Sequence, residues 1–174
     1  MERVLIIGCG GSGKSHLARQ LGSMLGIPVT HLDTAYYDRD WNPLPQDDFA
    51  ALQRQLVAGS RWVIDGNYAS TLPIRLTAAD TVVFLDLPAL ACLRGVLSRQ
   101  FRHGRGHHHQ IGAYNRLTPD FVRYIGSYRR RMRPRVLRLL AEHATHAEVV
   151  VLRSRRASVR WLAAVTAATA RGLS

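Results

Sequence analysis

Residues Gly8 to Ser15 read Gly-Cys-Gly-Gly-Ser-Gly-Lys-Ser, and the reading of this stretch decides the fold. It fits the phosphate-binding pattern G-x-x-x-x-G-K-[ST] without a mismatch. The apolar run Val4-Leu5-Ile6-Ile7 stands before it and reads as a buried strand. Behind it Leu17, Leu21 and Leu25 recur every four residues, the spacing of an amphipathic helix. Strand, glycine loop and helix in this order distinguish a working phosphate loop from a glycine-rich turn that binds nothing.

The chemistry of such a loop follows from its backbone. Glycines let the chain curl so that successive N–H groups face one concavity. The positive end of the next helix stands behind that concavity and favours an anion. The backbone of Gly10, Gly11, Ser12 and Gly13, with Lys14 and Ser15, would hold the phosphates of a nucleotide. Lys14 would act as a compact point charge on the β- and γ-phosphates, and the Ser15 hydroxyl would hold Mg²⁺. His16 follows directly and is assigned to the nucleotide with them.

The chain has 174 residues and 47% apolar content, which suits one domain with a full core. No apolar run is long enough for a membrane span. Met1-Glu2-Arg3 leads straight into the first strand, so no signal peptide is expected. Cys9 and Cys92 lie far apart in sequence and show no metal or disulfide spacing, which points to a reducing cytoplasm. Cys9 reads as a small filler in the loop or as an oxidation-sensitive thiol.

The formal charge is +12, and Lys14 is the single lysine among 24 basic residues. A bias towards arginine explains the excess but not the place of the one lysine, where a compact ammonium suits phosphates. Twelve arginines and one acid, Asp120, fall between Arg94 and Arg138. Such a block suits a polyanion, either nucleic acid or the phosphates of bound nucleotides.

Further along, Gly26-Ile27-Pro28 ends the first helix, and Val29 to Leu32 reads as the second strand with Asp33 at its carboxyl end. Ligands of open α/β sheets bind at such strand ends. Asp33 is therefore a candidate base for an acceptor hydroxyl, or a substrate-binding group, with an N-cap of a short helix at 34–37 as the competing role. Tyr36, Tyr37 and Trp41 would face a ring-shaped substrate or cover the core edge. Helices are expected over about 46–58, 71–78, 89–102 and 156–171. Strands are expected at 62–64, 81–85 and 149–152. The stretch from His103 to Gly112 is polar and glycine-broken and reads as a mobile loop, part of a lid spanning about 103–118. A further helix starts at Thr118-Pro119-Asp120, and Pro134 should kink or restart it. Five strands alternating with helices argue for an α/β three-layer sandwich on a parallel sheet.

Trp62-Val63-Ile64-Asp65-Gly66-Asn67-Tyr68, then Arg75, then Val82 to Pro88, resembles the adenylate-kinase-like branch of P-loop kinases. A narrower likeness is to small bacterial proteins called DNA topology modulation proteins. It rests on Gly8 to Ser15, His31-Leu32-Asp33, Trp62 to Tyr68, and Val151-Leu152-Arg153-Ser154-Arg155. The resemblance implies a P-loop NTPase fold with strand order 2-3-1-4-5, a lid after strand four, and ATP as donor. It also places Arg153 and Arg155 near the nucleotide base. The chain departs from the pattern at His16 and in the lid histidines. Asn67-Tyr68 replaces the Pro-Arg that follows Asp-Gly in adenylate kinase, which argues against AMP as acceptor.

Phosphoryl transfer needs positioning and charge neutralisation more than covalent help. Asp65 is the first choice for the strand-end carboxylate that manages Mg²⁺ with Ser15, and Asp86 the second, with a turn role competing. Arg99 and Arg102 share a helix face at the lid hinge, and Arg123 and Arg130 share one after it. Arg99, Arg102 and Arg130 are the expected catalytic cations. Arg75, Tyr37 and Asn67, with Asp33 and Asp65, are expected at the acceptor. His103 and His107 to His109 lack a Cys or carboxylate to complete a metal site and read as solvated loop. The expected function is an ATP-dependent small-molecule kinase. The competing function is an ATP-binding regulator that contacts nucleic acid through the arginine block.

Overall fold

The computed structural model describes residues 1–38, 42–103, 106–108, 113–115 and 118–172. For 102–103, 106–108, 113–115 and 171–172 only the backbone is described. Its centre is β1 (Arg3–Gly8), whose side chains alternate between two packed layers. Val4 and Ile6 enter one core, and Leu5 and Ile7 enter the other. A strand apolar on both faces needs cover on both, and the chain supplies helices for it.

The first core is closed by α1 (Lys14–Leu25) through Leu17 and Leu21, and by α7 (Arg155–Gly172) through Trp161, Leu162 and Val165. The second is closed by α3 (Gln46–Val57) through Phe49 and by α4 (Leu72–Ala78) through Leu72 and Leu76. Helix α6 (Pro119–His143) serves both. Its Ile125 and Tyr128 join the first core, and Val136 and Leu140 join the second. Each fully buried Leu, Ile or Phe is worth roughly 1.5–3 kcal/mol.

The remaining sheet strands are β2 (Val29–His31), β3 (Trp62–Asp65), β4 (Thr81–Leu85) and β7 (Glu148–Leu152). All pair in parallel, in the order β2-β3-β1-β4-β7. With β7 as the fifth sheet strand, this is the expected 2-3-1-4-5 order. It sets the carboxyl ends of β1, β3 and β4 side by side, Ile6 opposite Asp65 and Gly8 opposite Leu85.

Three local expectations change. The second strand stops at His31, and Leu32 already starts α2 (Leu32–Tyr36), so Asp33 sits in its first turn. His31 is the N-cap, which removes the capping role considered for Asp33. Helix α6 runs through Pro134 without restarting, although proline cannot donate to the carbonyl four residues back. Packing of Val136 and Leu140 in the core holds the continuation. Helix α5 (Ala89–His103) is followed by an antiparallel pair, β5 (Gly106–His108) and β6 (Ala113–Asn115), where a loop was expected. Strand β6 packs beside α2 and α5.

Candidate active site

The phosphate loop leaves β1 and enters α1 through Gly13, whose φ of 100° lies in the left-handed region. No side chain caps this helix start. A helix start of this kind turns its first N–H groups toward an anion. Lys14 Nζ donates to the Cys9 carbonyl at 3.1 Å, which folds the ammonium back over the loop. The loop is pressed against α5. A Cβ on Gly95 would stand 2.1 Å from the Gly11 oxygen, and one on Gly11 would stand 2.2 Å from the Cys92 oxygen.

A cavity of about 830 Å³ opens over this loop, lined by residues 10–16. On one side α1 and α7 contribute Arg19, Gln20, Arg155, Val159 and Leu162. On the other stand Asp33, Tyr37, Asn67 and Tyr68, with Arg99 from α5 and Phe121 and Tyr124 from α6. The phosphate loop therefore forms the floor of this cavity.

Asp33 is oriented by Tyr68, whose hydroxyl donates to Oδ1 at 2.8 Å. Burial, together with this carboxylate, pushes the Tyr68 phenol up, so it stays a proton donor. Burial pulls the Arg99 guanidinium down, and the charge of Asp33 counteracts it. Asn67 Nδ2 donates to the Tyr124 hydroxyl at 3.5 Å. Phe121 and Tyr124 stack with ring centroids 6.2 Å apart and planes 13° apart. Phe121 also lies on the loop, since a Cβ on Gly10 would meet its ring at 2.5 Å.

Several expected residues stand elsewhere. Arg75 is fully buried and does not line the cavity. Its guanidinium donates to the carbonyls of Gly66, Asn67 and Tyr68 at 2.7, 3.3 and 3.2 Å. It shapes the loop that presents Asn67 and Tyr68, and burial lowers its pKa to about 9. Asp65 is buried and bound to His31 Nδ1 at 2.8 Å, while its Oδ2 has no partner. Asp86 is buried too, with Arg133 Nε 2.9 Å from both oxygens and Arg129 at 3.9 Å, so it ties β4 to α6. Arg130 is exposed on α6 and off the cavity wall, and Arg153 is exposed beside β7. Arg123 is exposed and paired with Asp120. The side chain of Arg102, those of His103, His107 and His108, and the whole of Trp41 and His109 lie outside the described residues.

The arginine block thus splits. Arg99 faces the cavity, Arg129 and Arg133 converge on Asp86, and Arg130, Arg131, Arg135 and Arg138 face outward. Cys9 and Cys92, distant in sequence, meet beneath the loop. Their mutual contact raises the Cys9 thiol and lowers that of Cys92. Sequence reasoning missed Phe121, Tyr124, Arg19 and Leu162 as walls. Phe121 and Tyr124 sit on one apolar stripe of α6, and only the pairing of α6 with α5 turns that stripe onto the loop.

No family model matches the sequence, and no curated protein matches it. Solved structures do. A shikimate kinase from Acinetobacter baumannii, in complex with shikimate, matches with a TM-score of 0.60 at 14% identity, over 99% of this chain and 94% of that one. A shikimate kinase from Aquifex aeolicus matches with 0.54 at 16%, over 98% of both. The chain has the P-loop kinase fold. A gluconokinase from Sinorhizobium meliloti shares that fold, with 0.54 at 16% over 98% of this chain and 97% of its own. The narrower likeness to DNA topology modulation proteins gains no support from these matches. Among the described residues no helix is long and apolar enough to cross a membrane, and no group of three metal-ligating side chains occurs.

Proposed function

We propose that this protein is an ATP-dependent phosphotransferase acting on a small-molecule acceptor. One observation carries the reading: Lys14 and Asp33 line the same cavity, the first in the phosphate loop and the second beyond it. A donor phosphate on the loop and an acceptor at Asp33 would meet inside one cavity. In-line transfer requires that juxtaposition. The matched shikimate kinase and gluconokinase structures agree with it.

In this reading the N–H groups of residues 10–15 and Lys14 hold the donor phosphates. Arg155, Val159 and Leu162 flank the nucleoside end. Asp33, fixed by Tyr68, accepts the proton of the attacking hydroxyl. Arg99 neutralises charge on the transferring group. Mg²⁺ takes few protein ligands and keeps water and phosphate oxygens. Ser15 on the wall suits it, and the ion would neutralise phosphate charge, whereas Asp65, expected to share the ion, is buried off the wall beside His31 and would reach it only through a shift of that pair. The segment 103–118 would act as a lid over the acceptor end, and Arg102 would come with it. Two reduced cysteines fit a cytoplasmic setting.

The test is ATP binding by titration calorimetry in the wild type and in Lys14→Ala. Loss of at least tenfold in affinity is expected, and unchanged affinity would sink the reading. The outward arginines of α6 favour a second reading, a nucleic-acid contact. It requires DNA affinity that falls steeply with salt, and no binding at low salt removes it.

A further inference from the structure

Cys9 and Cys92 are the two cysteines of the chain, and phosphoryl transfer uses neither thiol. The fold nevertheless brings them together. Cys9 follows β1 inside the phosphate loop, and Cys92 lies near the start of α5. Both are free thiols, 1% and 0% exposed, in one buried cluster. Their side chains share a hydrogen bond. The backbones around them are equally close, since a Cβ on Gly11 would stand 2.2 Å from the Cys92 oxygen.

A buried thiol is inert unless it is held as a thiolate and an oxidant can reach it. The hydrogen bond from Cys9 lowers the Cys92 thiol most, burial opposes it, and the charges of Lys14 and Arg155 add to the lowering. Access comes from the cavity. Gly8 and Gly10, on either side of Cys9, line it, and so does Gly95, one turn beyond Cys92. The thiols thus lie directly beneath its floor. An oxidant little larger than water suits that depth, and a bulky disulfide does not.

We propose that Cys9 and Cys92 form a redox modification site, closed by hydrogen peroxide to a reversible disulfide that draws the phosphate loop out of its nucleotide-binding shape. The Cys92 sulfur attacks one peroxide oxygen, the O–O bond breaks, and the departing hydroxide takes a proton to become water. The Cys9 sulfur then attacks the resulting sulfenic sulfur, the S–O bond breaks, and the second hydroxide leaves as water with the Cys9 proton. Two thiols lose two electrons, and the peroxide is reduced to two waters. Closing the bond brings the sulfurs to about 2.05 Å, well inside a hydrogen-bond contact. Cys9 has to move with its sulfur. Its carbonyl accepts both Lys14 Nζ at 3.1 Å and the Ser12 N–H at 3.2 Å, so the shift reaches the ammonium and the loop backbone together. A misplacement of about 1 Å costs up to about 10²-fold in a positioned site.

The experiment treats the reduced full chain with hydrogen peroxide, without denaturant, in the presence and absence of ATP·Mg²⁺. Mass spectrometry reads the Cys9–Cys92 linked peptide, and calorimetry reads ATP affinity. The linked peptide should form, ATP affinity should fall at least tenfold, and dithiothreitol should reverse both. Saturating ATP·Mg²⁺ should slow the closure several-fold, because bound nucleotide favours the dithiol shape of the loop. Cys92→Ala should bind ATP as the reduced wild type does and keep that affinity after peroxide. Should this variant not fold, the reduced and oxidised wild type decide by themselves. Thiols that stay free or pass only to sulfinic acids overturn the proposal. So does a bridged protein with unchanged ATP affinity, or an equal loss of affinity in Cys92→Ala. The proposal rests on the kinase reading only where ATP is the probe. No ATP binding by the reduced wild type fails that reading instead, and the linked peptide with its reversal then decides the site.

Discussion

Tyr68 joins the fold to the chemistry through one hydroxyl. It donates to Asp33 and is itself carried by the loop that Arg75 ties down. Removing that hydroxyl deletes one charge-assisted hydrogen bond, worth roughly 1.5–3 kcal/mol. Tyr68→Phe should therefore lower kcat about tenfold and Tm by several degrees, with ATP affinity little changed. Equal kcat in steady-state assays would mean that Asp33 does not depend on Tyr68. Arg75 belongs to the opposite class, a buried charge with backbone partners. Arg75→Leu leaves three carbonyls without donors and, at about 1–3 kcal/mol for each buried group left unpaired, should cost about 3 kcal/mol or more in urea unfolding. A loss under about 1 kcal/mol would show those bonds to be dispensable. The sequence marks Lys14, Asp33 and Tyr37, because motif and strand end announce them. It cannot mark Arg75 as structural, because a buried arginine and a substrate arginine have the same letter and differ only in where the helix turns them.

At the scale of elements, the phosphate loop is held by what covers it. Helix α5 approaches so closely that Gly95 has no room for a side chain beside the Gly11 carbonyl. Gly95→Ala should gain slightly in helix propensity. The clash outweighs it, because overpacking against backbone costs about 1–3 kcal/mol. The expected result is a lower urea midpoint together with weaker ATP binding, since the displaced neighbour is the loop itself. An unchanged midpoint and affinity would place α5 farther from the loop. The strands and most helices were legible from apolar runs and glycine–proline punctuation. The β5–β6 pair was not, because histidine and glycine carry little strand preference and the pairing is made by the chain's return. Continuity of α6 across Pro134 was also hidden, since it depends on a core formed by other segments.

At the scale of the molecule, the N-terminal strand is fastened by Asp80. Its carboxylate accepts from the N–H groups of Glu2 and Arg3 at 2.9 and 2.8 Å and from the Thr81 hydroxyl at 2.8 Å. Burial alone would raise its pKa, but these bonds outweigh it and hold the group below its ordinary value. A folded-state value below the unfolded one, about 3.9, stabilises the protein above that pH. The contribution disappears as acid protonates the folded carboxylate. Asp80 is only half-buried, so solvent screens the effect to no more than about 1 kcal/mol. Asp80→Asn should lower Tm near neutral pH and converge with the wild type in acid. An equal Tm difference at both would contradict the linkage.

The account as a whole claims that the loop and Asp33 are two halves of one transfer reaction. The direct measurement follows the γ-phosphate of labelled ATP in the 174-residue protein, with Mg²⁺ and candidate small-molecule acceptors present. The label is predicted to leave ATP as an organic phosphoester, faster than it appears as inorganic phosphate. Label released only as inorganic phosphate, at a rate that no acceptor changes, would contradict it.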